Sequence, residues 1–240
     1  MNLFVGAAGG TSGLAVTAAA LATALATGLG AIPLAFAGGK SRSWLGVANA
    51  VAAGLMLGAS GMLFYQGRTD GTRTIVGAFL GVATIVLASH LLRSRDHWRF
   101  ESLRGAHART AVIIVAVMTV HSAAEGVGVG VSFGGGESIG FLTALAIAIH
   151  NIPEGLAISL VLVPRGVGVG RAALWSIFSS FPQPVLALPA FLFVEAFSQA
   201  LPVGLGFAGG AMVWMVCGEI IPDVLRTWRA DRRGSSVPTA

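Results

Sequence analysis

The chain has a single cysteine in 240 residues, Cys217, a single lysine, Lys40, and only 10% charged residues. One cysteine excludes a disulfide framework and a thiolate metal cluster. One lysine, and that in a loop, excludes a retinal Schiff base in the last helix, and with it a light-driven seven-helix pump. The scarcity of charge, set against 55% apolar residues and 34 glycines, places the chain among polytopic membrane proteins. The net charge of +5 reflects arginines in loops and calls for no nucleic-acid partner.

Seven apolar segments are long enough to span a bilayer: Gly6 to Phe36, Trp44 to Gln66, Thr74 to Leu92, Thr110 to Phe133, Ile139 to Val163, Ala172 to Ala196 and Leu201 to Leu225. They predict an all-α helix bundle, one transmembrane domain over residues 1–240. Pro33 is expected to bend or end the first helix. Ala35-Phe36-Ala37 is read as a false cleavage signal, because the run before it is too long and lacks a basic start. Of the 15 basic residues, all but Arg68 and Arg73 fall in loops on one side. The positive-inside rule makes that side cytoplasmic and puts the amino terminus outside and the carboxy terminus inside. Residues 93–109 form a basic cytoplasmic link facing lipid headgroups; His90, at the end of the helix before it, or His97 or His107 within it can capture metal in passing. Residues 234–240 are small and polar and are expected to be disordered.

Two near-copies stand out, His121-Ser-Ala-Ala-Glu125-Gly126 and His150-Asn-Ile-Pro-Glu154-Gly155. Each sets a histidine and a glutamate four residues apart, one turn apart on one helix face. A carboxylate at bilayer depth costs on the order of 2.5 to 3.5 kcal/mol, so an ionisable residue there points to function. The polar break from Gly134 to Ser138 reverses the chain and makes the two helices antiparallel neighbours. Both histidines lie fourteen or fifteen residues from its middle, roughly 20 Å at about 1.5 Å per residue. They therefore sit level near the midplane. Two neutral imidazoles and two carboxylates match the charge of one divalent ion and suit zinc; iron, manganese, cobalt and cadmium are accepted by the same donors. The ion is cargo, and no cofactor is expected.

Other residues carry weaker signals. Met56 is ordinary core filler or a soft fifth ligand. Gly58-Ala-Ser60-Gly61 matches the serine motif of rhomboid proteases, without that family's other signatures. Thr23, Thr27, Gly28 and Gly30 read as close helix packing through small residues. Pro153 bends its helix next to the ligands. Phe181-Pro182-Gln183-Pro184 breaks the sixth segment near the level of the histidines, as helices do where they line a cavity. Glu219 and Asp223 either guide an exiting cation or pair with Arg226. An intramembrane zinc-dependent hydrolase is the alternative to transport, since two histidines and a glutamate can hold zinc and a reactive water. Against it, no glutamate is spare to act as a base and no His-Glu-x-x-His pattern occurs.

With these residues in view the chain resembles the ZIP (Zrt/Irt-like) metal transporters, bacterial members most closely. His150-Asn-Ile-Pro-Glu-Gly155 resembles the signature of the family's fifth helix and His121-Ser-Ala-Ala-Glu-Gly126 that of the fourth. Thr27-Gly-Leu-Gly-Ala-Ile-Pro33, Ala53-Gly-Leu-Met56 and Phe207-Ala-Gly-Gly-Ala-Met212 leading to Glu219-Ile-Ile-Pro222 add to the likeness. The resemblance implies uptake of a divalent metal into the cytosol across a bacterial inner membrane, by an elevator motion of helices one, four, five and six against the rest. It also implies a homodimer, and a primary site of Met56, His121, Glu125, His150 and Glu154. Ser122, Asn151 and Gln183 stand where some relatives build a second metal site with an asparagine and two acids. Being neutral here, they are expected to be auxiliary groups around one tight site. The family usually has eight spans against the seven read here, which fits a short form, a truncated chain or completion by a partner.

Overall fold

The structure, a computed structural model, describes residues 13–36, 42–94, 106–163, 166–222 and 225. Among these, every regular element is helical: α1 (Gly13–Leu29), α2 (Ile32–Phe36), α3 (Arg42–Gly67), α4 (Gly71–Ser94), α5 (Ala106–Gly134), α6 (Glu137–Leu162), α7 (Val169–Ser179), α8 (Pro182–Ala196) and α9 (Leu201–Met215). Most of the 93–109 link, the 234–240 tail, Asp223 and Arg226 lie outside the described residues, as does the side chain of Glu219.

Six stretches are long and apolar enough to cross a bilayer, and one of them, Ala53–Leu91, has 39 residues. As one straight helix it would run about 58 Å, nearly twice the ~30 Å of hydrocarbon. It is instead two arms that meet at the 3-10 turn Arg68–Asp70. There Oγ1 of Thr74 donates to the carbonyl of Gly67 at 2.6 Å; in a continuous helix residues seven apart would be separated by about 10 Å. Both arms pack on α9. The run therefore holds two of the seven segments read from the sequence.

Several boundaries depart from expectation for local reasons. The first segment breaks at Gly30 and Ala31, ahead of Pro33, which sits in the first turn of α2. Proline is favoured at a helix start, where its missing N–H is no loss. The sixth segment breaks between Ser179 and Pro182, with proline again opening the second half, α8. α5 and α6 are joined by two residues, and Gly136 takes φ +132°, a value that side chains with a Cβ rarely adopt. The reversal expected there is present, with Glu137 in the first turn of α6. α9 passes at Val216 into a π-helical turn that ends at Ile220.

Helices meet through two kinds of surface. α4 and α9 are seamed by Gly77, Gly81, Gly206 and Gly210, where a Cβ would overlap backbone of the facing helix. Small residues let the backbones approach, and dispersion holds them, since lipid offers no hydrophobic drive between helices. Gly155 on α6 meets the carbonyl of Thr27 in the same way, and Gly130 on α5 that of Ala187. The central apolar core draws on Met56, Leu63, Ile147, Leu205, Met212 and Met215. Phe79, Leu80, Leu145, Leu174 and Phe193 point outward, as expected for sides bathed in lipid.

Candidate metal centre

The two motif faces meet. His121 and Glu125 come from α5, His150 and Glu154 from α6, and all four are buried. The imidazole centroids lie 6.3 Å apart, edge to face, so the two motifs meet as neighbours across the α5–α6 pair. Oε1 of Glu125 is the hub, 2.7 Å from Nε2 of His121 and 2.5 Å from Nε2 of His150. Oε2 of Glu154 is 4.0 Å from Nε2 of His121. One donor atom from each of the four lies within 4.8 Å of the others, close enough for modest side-chain shifts to bring all four onto one cation. α6 runs through Pro153 without ending, which keeps His150 and Glu154 on one face.

The donor set is short of positive charge. The recorded ion-pair partners of Glu125 and Glu154 are histidines, and both oxygens of Glu154 are buried without a hydrogen-bond partner. Buried carboxylates left this way are expensive. A dication among them would supply the missing charge and occupy the open lone pairs.

Around the cluster runs a shell of neutral polar groups. Nε2 of Gln183 donates to Oε2 of Glu125 at 2.5 Å. Oε1 of Gln183 accepts from Oγ1 of Thr23 at 2.5 Å and from Nδ2 of Asn151 at 3.2 Å. Asn151 also donates to the carbonyl of Thr23 at 2.8 Å. The hydroxyl of Ser122 reaches that of Ser180 at 3.5 Å, and Ser180 meets Thr27 at 2.8 Å. Ser122, Asn151 and Gln183 thus stand beside the cluster, fully buried. Thr23 and Thr27, read from the sequence as packing residues, belong to this shell as well. What could have flagged them is hydroxyls spaced four apart on an otherwise alanine-rich helix.

Met56 is buried in the core, but the sulfur placed against Nδ1 of His121 is that of Met215 on α9. Sequence reasoning missed it. The signal was available: counted from Leu201, Met215 is fourteen residues into its helix, roughly 21 Å at about 1.5 Å per residue, the depth of both histidines. Ser60 donates to the carbonyl of Met56 on its own helix at 2.7 Å, an ordinary intrahelical bond that uses its hydroxyl. His90 lies on the surface near the end of α4, and His97 falls outside the described residues.

Comparison with known proteins bears on what such a centre does. The family model described as ZIP zinc transporter matches residues 96–235. The zinc transporter GufA of Myxococcus xanthus is 34% identical over 224 residues, 85% of this chain and 86% of that protein. The zinc transporter ZIPB of Bordetella bronchiseptica is 35% identical over 232 residues, 91% of this chain and 72% of that protein. A relative in Arabidopsis thaliana is 47% identical over 210 residues, 86% of this chain. The chain spans only about a third of that longer plant protein (34%).

Proposed function

Because the chain belongs to the ZIP family of metal transporters, integral membrane proteins rather than enzymes, we propose that it carries zinc into the cytosol through the cluster of His121, Glu125, His150 and Glu154. The observation that carries this reading is the convergence of four buried donors from two level helices on one point. The relatives named as zinc transporters support the choice of ion, and the same donors accept cadmium, cobalt, iron or manganese. One ion is bound at a time. Gln183, Asn151 and Ser122 are neutral and engaged with one another or with Ser180 and Thr23, so a second dication would find little charge to balance it. Met56 remains a candidate soft ligand from α3.

Transport is by alternating access. α1, α5, α6, α7 and α8 move together, tied by the polar shell, against α3, α4 and α9. The chain acts as a single domain, as a homodimer in a bacterial inner membrane, with its amino terminus outside. The hydrolase reading loses its support: the family transports, and both motif glutamates face the cluster, leaving no separate base. Zinc uptake into proteoliposomes tests the proposal. Glu125→Ala and Glu154→Ala should each abolish uptake in protein that still folds and inserts, and near-normal uptake in both variants would defeat it. Metal competition in the same vesicles ranks the ions.

A further inference from the structure

We propose that Thr23 is a positioning residue for the ion site: its carbonyl and its hydroxyl together set the Gln183 amide so that the N–H end faces Glu125. The inference rests on the metal site proposed above and adds to it a residue of α1 that reads from the sequence as packing.

An amide side chain has one end that donates and one that accepts, and its neighbours decide which end faces a ligand. Here the sense is fixed from α1. The backbone carbonyl of Thr23 can only accept, and it lies 2.8 Å from Nδ2 of Asn151. Asn151 therefore turns its donor end toward α1. The same Nδ2 lies 3.2 Å from the end of the Gln183 side chain, and a donor there calls for an acceptor, Oε1. The hydroxyl of Thr23 lies 2.5 Å from that oxygen as well, a separation that two oxygens reach with a proton between them. That proton is shared with the carbonyl of Ala20 at 2.7 Å. With Oε1 claimed from two sides, Nε2 is left for Oε2 of Glu125, which it meets at 2.5 Å. Turned the other way, Gln183 would set donor against donor at Asn151 and acceptor against acceptor at Glu125. Thr23, Asn151, Gln183 and Glu125 are all buried, so such a mismatch would carry its full cost.

The sense of this amide matters because of what it holds. Oε1 of Glu125 stands between the two imidazoles, and an N–H on Oε2 keeps the carboxylate turned that way, as outer partners of metal ligands do. A neutral donor does so without adding charge, whereas a cationic side chain in its place would repel the dication. Thr27, one turn further along α1, spends its hydroxyl on Ser180. Of the two buried threonines it is Thr23 that reaches the amide.

The test uses the full chain in nanodiscs with 15N-labelled glutamine, Gln183→Ala supplying the assignment. Thr23→Val keeps the shape and the carbonyl and removes the hydroxyl; Thr23→Ser restores it. In Thr23→Val the side-chain amide signal of Gln183 should shift and exchange faster with solvent. Zinc affinity should fall about threefold, the worth of one interhelical hydrogen bond in a membrane. Thr23→Ser should recover both. Added to Gln183→Ala, Thr23→Val should cost no further affinity, because a residue that acts through another is silent once the other is gone. An unchanged amide signal in Thr23→Val overturns the inference even where Glu125→Ala abolishes zinc binding. So does an affinity loss of the same size with and without Gln183, which marks a packing role. Zinc binding that is indifferent to Glu125→Ala overturns the site itself, and this inference with it.

Discussion

α1, α5, α6 and α8 are laced by side chains that cross between helices, from Thr23 and Thr27 through Asn151, Gln183 and Ser180 to Glu125. α4 and α9, by contrast, meet through Gly77, Gly81, Gly206 and Gly210, backbone against backbone. Both solutions bring helices close in lipid, yet they cost different things. A glycine seam buries no polar group and specifies distance alone. A polar lacing must satisfy every donor and acceptor it buries, and interhelical hydrogen bonds in membranes contribute only about 0.6 kcal/mol each on average. Stability by itself is therefore a poor reason for the lacing. The lacing reaches the four buried donors at one point, where Gln183 donates to Glu125.

The sharpest way to break this contrast is at its centre. Glu125→Ala removes the carboxylate shared by both imidazoles, and zinc affinity should fall by more than ~100-fold, beyond the range for outer partners, as isothermal titration would read; a loss under tenfold would move the site elsewhere. Next comes the seam. Gly81→Leu forces a side chain into the backbone of α9 at Phe207, and overpacking of this kind costs about 1–3 kcal/mol or more. The thermal midpoint should drop, while protein that remains folded keeps its zinc affinity. If the affinity fell in step with stability, the two regions would not be separable.

Smaller effects sharpen the picture. Gln183→Ala leaves Oε2 of Glu125 without its donor and should weaken zinc binding about tenfold. Gln183→Glu adds a negative charge beside Glu125 and should raise the number of bound ions above one at high zinc, measured by metal analysis after equilibrium dialysis; a stoichiometry fixed at one would show that charge is not what limits the site. Thr27→Ala deletes one hydroxyl contact to Ser180 and should cost about 0.6 kcal/mol with uptake nearly intact. A large loss of uptake there would mean that the lacing does more than hold helices.

The candidate site was largely legible because its geometry is local. His121 with Glu125, and His150 with Glu154, are each fixed by the helical period, and the short turn at Gly136 sets the two pairs level. Gln183, Asn151 and Ser122 were placed near the cluster by depth and by likeness to a family. Met215, Thr23, Thr27 and Ser180 were not singled out as neighbours of the site, since their nearness to it depends on how distant segments pack. The helix breaks, by contrast, are local: Pro33 and Pro182 each sit in the first turn of the helix that follows the break, where proline is favoured.

By itself the sequence determined that this is a bundle of membrane-crossing helices with paired histidines and glutamates at one depth, because apolar length, helical period and short turns act over a few residues at a time. Only the tertiary structure decided which thioether lies against His121 and which amide holds Glu125. Those outcomes depend on contacts between segments far apart in the chain, where glycine permits close approach and a buried polar atom without a partner is costly.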